Sequence, residues 1–235
     1  MNDHTETPNT GAPETDERDP GATEFYRRSR GDDTTMDTLT ELYPPLPLRL
    51  ADFNEEQRRA LYWRLDRLGR VRLSRHFVMR QFLYSEIAAA HGLINLPNDE
   101  TRTIHAGTKL CERILEPIVA LFGPIIIRSG FRSAALNAFG HQNGLSCASN
   151  ERNYGRHIWD HVDSKGRVGA SACIIIPAFN AGATELTSRE ELASFLKDRT
   201  PCDHITFFRR NNAFNIGWKE PLIMGKRGER MLPVV

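Results

Sequence analysis

Apolar residues recur at helical spacing along the first half of the chain and gather into short β-branched runs along the second. Leu61, Leu65 and Leu68 mark one helical face, with Asn54 placed to cap its start and Gly69 to stop it. A second helix is expected from Met79 to His91, ending at Gly92. A third begins near Asp99 and carries Ile104, Leu110, Ile114, Leu115, Ile118 and Leu121 on its apolar side. Pro117 lies within it and should kink or break it, because proline removes a backbone donor and crowds the preceding turn.

Strand signals follow. Ile125-Ile-Ile-Arg-Ser and Cys173-Ile-Ile-Ile-Pro are β-branched runs bounded by glycine or proline, and His204-Ile-Thr-Phe-Phe and Ala213-Phe-Asn-Ile-Gly-Trp are two further candidates. A helix near Ser188 to Asp198 separates these pairs, with Ser188 and Glu191 at capping-box spacing. Helices that precede strands predict an α+β domain, with an antiparallel or mixed sheet flanked by helices, rather than alternating βαβ units.

Charge divides the chain unevenly. Residues 1–40 hold ten acidic and four basic residues, a local balance of −6. Thr, Pro and Gly supply most of the rest, so this segment reads as a disordered acidic tail. Residues 41–74 form a connector, Tyr43-Pro-Pro-Leu-Pro, and the first helix; residues 75–235 form the main domain. With 31 basic and 30 acidic residues overall, the chain past the tail carries about +7, an excess that suits either an anionic small ligand or a solvated surface. The near-zero total argues against nucleic acid as partner. No stretch reaches the roughly 18 apolar residues of a membrane span, and the N-terminus lacks the apolar core of an export signal. Cys111, Cys147, Cys173 and Cys202 form no C-x-x-C pair, and two of them sit in apolar runs. Reduced thiols and a cytoplasmic location are the corresponding expectations.

The stretch from Arg75 through HFVMRQFLYSEIAAAHGLINLP, and then LCERILEPIVALFGPIIIRSGFRSAALN, resembles the zinc D-Ala-D-Ala carboxypeptidases of peptidase family M15. The likeness is strongest from Arg75 to Asn137, where Ser129-Gly130-Phe131-Arg132-Ser133 stands in place of the family's S-G-Y-R-S turn, and weaker from Tyr154 to Trp218. It implies a Hedgehog/DD-peptidase-like fold and a cleft in which Arg132, with Ser133 beside it, meets the substrate. A guanidinium fork suits a carboxylate or phosphate. The alternative is that Arg132 caps a helix or pairs with a buried acid.

The metal motif departs from the family's S-x-H-x-x-G-x-A-x-D. Gly155-Arg156-His157 stands for its first part; Gly169-Ala-Ser-Ala-Cys173 follows only after an inserted segment, with Cys173 at the aspartate's place. The insertion is rich in possible ligands, His157, Asp160, His161 and Asp163. Histidine and carboxylate donors suit zinc or another divalent transition metal. Asp163-Ser-Lys-Gly reads equally as an ordinary turn, and Asp160 as a cap or as a partner of Arg156 or Arg167. His204 is a replacement ligand or a strand-edge histidine, and Glu220 serves as base only if it turns inward. Three functions follow: a divergent metallopeptidase acting on a D-amino-acid or peptidoglycan-like peptide, a non-catalytic binding descendant of the fold, and a cytoplasmic metalloenzyme of another reaction type built on His157 to Asp163. The partner in each case is a small peptide or another carboxylate-bearing ligand.

Overall fold

The computed structural model describes residues 49–208, 212–224 and 230–231. The acidic tail at 1–40 and the connector from Tyr43 to Pro47 lie outside the described residues.

Helix α1 (Glu55–Gly69) starts at Asn54, whose side chain accepts from Gln57 N while the Gln57 side chain accepts from Asn54 N, a reciprocal cap. The stretch expected as one helix from Met79 to His91 is two, α2 (Arg80–Leu83) and α3 (Glu86–His91). The break is at Tyr84, whose backbone is extended. Asn95 stabilises that break, because its Nδ2 donates to Leu83 O at 2.9 Å. Helix α4 (Glu100–Leu110) continues through a π-helical turn, Cys111–Leu115, into α5 (Glu116–Phe122). Pro117 sits in the first turn of α5, and the wide turn just before it absorbs the missing donor, so the helix is bent locally without ending.

Strand β1 (Ile126–Ser129) leads to α6 (Ala134–Gln142) and the short α7 (Asn150–Asn153). Strand β2 (Gly169–Ile175) begins four residues before the β-branched run that announced it, because the small residues Gly169 to Ala172 carry no strand signal of their own. After the short α8 (Pro177–Asn180), α9 (Arg189–Arg199) starts on the expected Ser188–Glu191 capping box. Strands β3 (His204–Phe207) and β4 (Phe214–Lys219) complete a four-stranded sheet of order β1-β2-β4-β3, antiparallel throughout. A separate antiparallel pair joins β5 (Ile223–Met224) to β6 (Arg230–Met231). The domain is α+β.

Alternation along the strands sorts the sheet into two faces. Ala170, Ala172 and Ile174 of β2, with Phe214, Ile216 and Trp218 of β4, join the core beneath α4 and the π turn, and Leu192 and Leu196 of α9 belong to the same apolar cluster. Trp159, fully buried, fills the middle of this core against Phe82 and Phe131, and its Nε1 donates to Ser171 O at 3.2 Å. Its ring lies directly over Gly107, where any Cβ would collide with it.

The opposite face carries Arg128, Ser171, Cys173, Asn215, Lys219, His204 and Thr206. A bulge between Ile127 and Ser129 shifts the register of β1 against β2 beside Arg128.

Candidate binding cleft

A cleft of about 820 Å³ opens on the polar face of the sheet, within the range of small-molecule sites. Its floor includes Cys173, Asn215 and Lys219, and the segments around Cys147 and Tyr154 wall it in.

Arg132 enters from the turn after β1. That turn is fixed from both sides: Phe131 N donates to Phe82 O at 2.9 Å, Asn95 Nδ2 donates to Phe131 O at 3.0 Å, and Arg132 N donates to His157 O at 2.8 Å. Ser133 does not reach the cleft. It is buried at the start of α6, where its Oγ accepts from Leu136 N at 3.2 Å and its own N donates to Asn95 Oδ1. The half-buried Arg132 side chain donates to Asn137 Oδ1 at 3.2 Å and contacts Cys147 Sγ at 2.9 Å, and no carboxylate pairs with it among the described residues. Both alternatives raised for Arg132, a helix cap and a buried ion pair, are therefore absent among its contacts.

His157 lies next to it. Its Nδ1 donates to Gly130 O at 2.9 Å, because a carbonyl can only accept, and this leaves Nε2 of the neutral ring as an acceptor. Burial, reinforced by the neighbouring Arg132 charge, pushes the His157 pKa down to about 4, so the ring is neutral at physiological pH. Asn215 approaches the same ring from β4, and its Oδ1 is buried without a hydrogen-bond partner. Directly across the β2–β4 ladder from Asn215 is Cys173, whose thiol is pushed up by burial and pulled back in part by Arg128. Cys147 is likewise raised by burial against the opposing effect of Arg132.

The other proposed metal ligands are engaged elsewhere. Asp160 follows Trp159 into the interior, where its carboxylate accepts from Asn98 N at 2.9 Å and contacts His161 Nδ1 at 3.0 Å. Its carbonyl accepts from Arg102 Nη1, so Asp160 holds the loop before α4 and is not part of the cleft lining. The bond to Asp160 also raises the His161 pKa. Asp163 does line the cleft, but its carboxylate takes Arg167 at 2.8 Å, Lys219 at 2.9 Å and the backbone N–H groups of Lys165 and Arg167. Burial alone would raise its pKa; these donors outweigh burial and hold it well below the usual carboxylate range.

His204 Nε2 meets Ser171 Oγ at 3.3 Å and its Nδ1 meets Asp203 Oδ2 at 3.3 Å. Its pKa is lowered by burial and then by the Arg156 charge. The chain Ser171, His204, Asp203 has the composition of a hydrolytic triad, yet Ser171 is fully buried and the set acts as a cross-strand tie. A Cβ at Gly217 would strike both the His204 ring and Ser171 Oγ, so glycine is what allows that tie to lie flat on the sheet.

Glu220 falls on the side away from the cleft. Alternation along β4 puts Lys219 on the cleft face and Trp218 in the core, and Glu220, two residues on from Trp218, shares Trp218's side. Its Oε2 accepts from Val168 N and its Oε1 lies 3.9 Å from His105 Nε2. It is not positioned as a base for a reaction in the cleft.

His157, Asp160, Asp163 and His204 thus do not converge, and among the described residues no three His, Cys, Asp or Glu side chains are grouped to hold a metal ion. Their donor atoms are already engaged by protein groups. This donor set does not fit the zinc site that the resemblance implies.

What does converge is positive charge. Arg128, Arg132, Arg152, Arg156 and Lys165 line the cleft without a carboxylate partner among the described residues, against Glu86 and Glu151; Arg167 and Lys219 are held by Asp163. The sequence reading identified Arg132 and His157 but missed Arg156, Asn215 and Cys147. For Asn215 the signal was present, in the alternation Phe214-Asn-Ile-Gly-Trp-Lys219; Arg156 and Cys147 carry no such local mark. All four cysteines are free thiols, and no described helix is long and apolar enough to cross a membrane. No family model, curated protein or solved structure matches the chain.

Proposed function

We propose that the cleft binds the terminal carboxylate of a short peptide, with Arg132 as its anchor. The observation that carries this reading is a half-buried guanidinium with no counter-ion among the described residues, beside a histidine kept neutral by burial and, secondarily, by that charge. A buried cation without a partner is costly, and an oxyanion is the group that offsets it. A second feature favours a peptide over a simple anion. Asn215 and the neutral His157 ring present hydrogen-bonding groups side by side on the cleft floor, which a peptide amide can engage and a simple anion cannot.

This reading corresponds to a binding protein that keeps the cleft of an M15-like, Hedgehog/DD-peptidase-like fold. Peptide hydrolysis has less support. It requires three metal ligands, an open coordination position and a base, and the cleft assembles neither the ligand set nor Glu220.

Calorimetric titration with N-acetyl-D-Ala-D-Ala, its L,L isomer and the C-terminally amidated forms tests the proposal. The acids are expected to bind and the amides not. Arg132→Ala should weaken the acids by about ten- to a hundredfold, the range of a charge-assisted hydrogen bond. Equal binding of acid and amide would overturn it. Release of free alanine together with near-stoichiometric zinc in the purified protein would establish the peptidase instead.

A further inference from the structure

Two of the unpaired cations differ from the rest. Arg128, Arg152 and Lys165 are exposed, and water solvates their charge at little cost. Arg132 and Arg156 are half-buried. No hydrogen bond or ion pair of the Arg156 side chain is made among the described residues, and the only polar partners of Arg132 are neutral. Of the acids that follow Arg156 in the same segment, Asp160 is turned inward onto Asn98 N and His161, and Asp163 is saturated by Arg167, Lys219 and two backbone donors.

Their backbones are also fixed on either side of one residue. Arg132 N donates to His157 O at 2.8 Å, and Ser171 N donates to Arg156 O at 2.9 Å, so the segment carrying Arg156 and His157 is pinned to both the Arg132 turn and β2. Both side chains line the same cleft. The charge of Arg132 acts on His157, and that of Arg156 reaches His204 on β3, at the far side of the sheet.

A single carboxylate satisfies one fork and leaves the other partly desolvated without a counter-charge. We propose that the peptide recognised here carries a second carboxylate, on the side chain of its last residue, and that Arg156 receives it while Arg132 holds the terminal one. The second site rests on the carboxylate-binding reading above and extends it to acidic peptides. The ligand then brings two oxyanions to two half-buried cations.

Matched dipeptides isolate the second charge. N-acetyl-Ala-Glu and N-acetyl-Ala-Gln have nearly the same shape and differ by one carboxylate, so their ratio of affinities in calorimetry reads the proposed pole directly. The glutamate peptide is expected to bind at least about tenfold more tightly in the parent protein, as one charge-assisted hydrogen bond predicts. Arg156→Gln should erase that preference while leaving affinity for the glutamine peptide unchanged, and Arg156→Lys should restore part of it. Arg132→Ala should weaken both peptides alike. Thermal denaturation of each variant checks that the fold is retained.

Equal affinity for the two peptides in the parent protein, with both still sensitive to Arg132→Ala, would overturn the second site and leave the carboxylate reading standing. Binding of neither peptide would remove that reading as well. A preference for glutamate that survives Arg156→Gln would also overturn the assignment to Arg156. Tighter binding of N-acetyl-Ala-phosphoserine than of N-acetyl-Ala-Glu would replace the second carboxylate with a phosphoryl group.

Discussion

On β2, Ala170, Ala172 and Ile174 are sealed against the helices, while Ser171 and Cys173, each one residue away, turn toward the cleft side. On β4 the same alternation separates Phe214, Ile216 and Trp218 from Asn215, Gly217 and Lys219. One face is an apolar interior closed by Trp159. The other carries a histidine kept neutral, thiols pushed up, an orphaned amide oxygen and cations without counter-ions. The apolar face is locally satisfied, because every buried group there has found packing or a hydrogen bond. The cleft face is left incomplete, and that incompleteness is what the proposed ligand would meet. Stability and recognition are thus divided across a sheet one residue thick.

The sharpest way to break this division is to damage the core and ask whether the cleft survives. Trp159→Ala removes the largest side chain of the interior and should cost about 3–5 kcal/mol, measured by urea denaturation. A cost under about 1 kcal/mol would mean that the core does not depend on this residue. A smaller effect is expected on the cleft side, at the His204–Ser171 tie. Gly217→Ala forces the His204 ring off the sheet and should cost about 1–3 kcal/mol in the same assay, typical of overpacking. No measurable change would show that the ring has room to move.

The mildest perturbation is a change of pH, which reads the burial of His157 and, beside it, the charge of Arg132. The folded pKa of His157 is lowered from 6.5 to about 4, so between these values the unfolded chain binds a proton that the folded chain does not. Its contribution to stability is therefore complete above about pH 6.5 and is lost as pH falls toward about 4. In an NMR titration the His157 ring should show a midpoint near 4, moving upward in Arg132→Ala as the neighbouring cation is removed. A midpoint near 6.5 in the parent protein would show that neither burial nor Arg132 acts on the ring.

The caps at Asn54 and Ser188 were legible because a capping box is a contact between residues three apart. The four strands of the main sheet were legible where β-branched or aromatic residues filled them, and the start of β2 was lost where glycine, alanine and serine did. The break at Tyr84 was hidden because it depends on Asn95, a partner from another turn of the chain. Within the candidate site, Arg132 and His157 could be singled out from their motif-like settings. Asp160 and Asp163 could not be told apart from them by residue type. Asp160 is carried inward with Trp159 to hold the loop before α4, and Asp163 is claimed by Lys219, a residue 56 positions away.

The amino-acid sequence alone determined the helix caps, the order of helices before strands and the alternation that gives the sheet an apolar and a polar face, since each of these rests on hydrogen bonds or side-chain directions within a few residues. Tertiary structure decided which charged groups would be left without partners. Arg132 follows β1, Arg156 precedes the Trp159 plug and Asn215 lies on β4; they come together only when antiparallel pairing across β1, β2 and β4 closes the sheet. A carboxylate is spent or a cation left free according to which neighbours the folded chain brings within about 3 Å, a distance over which local sequence has no control.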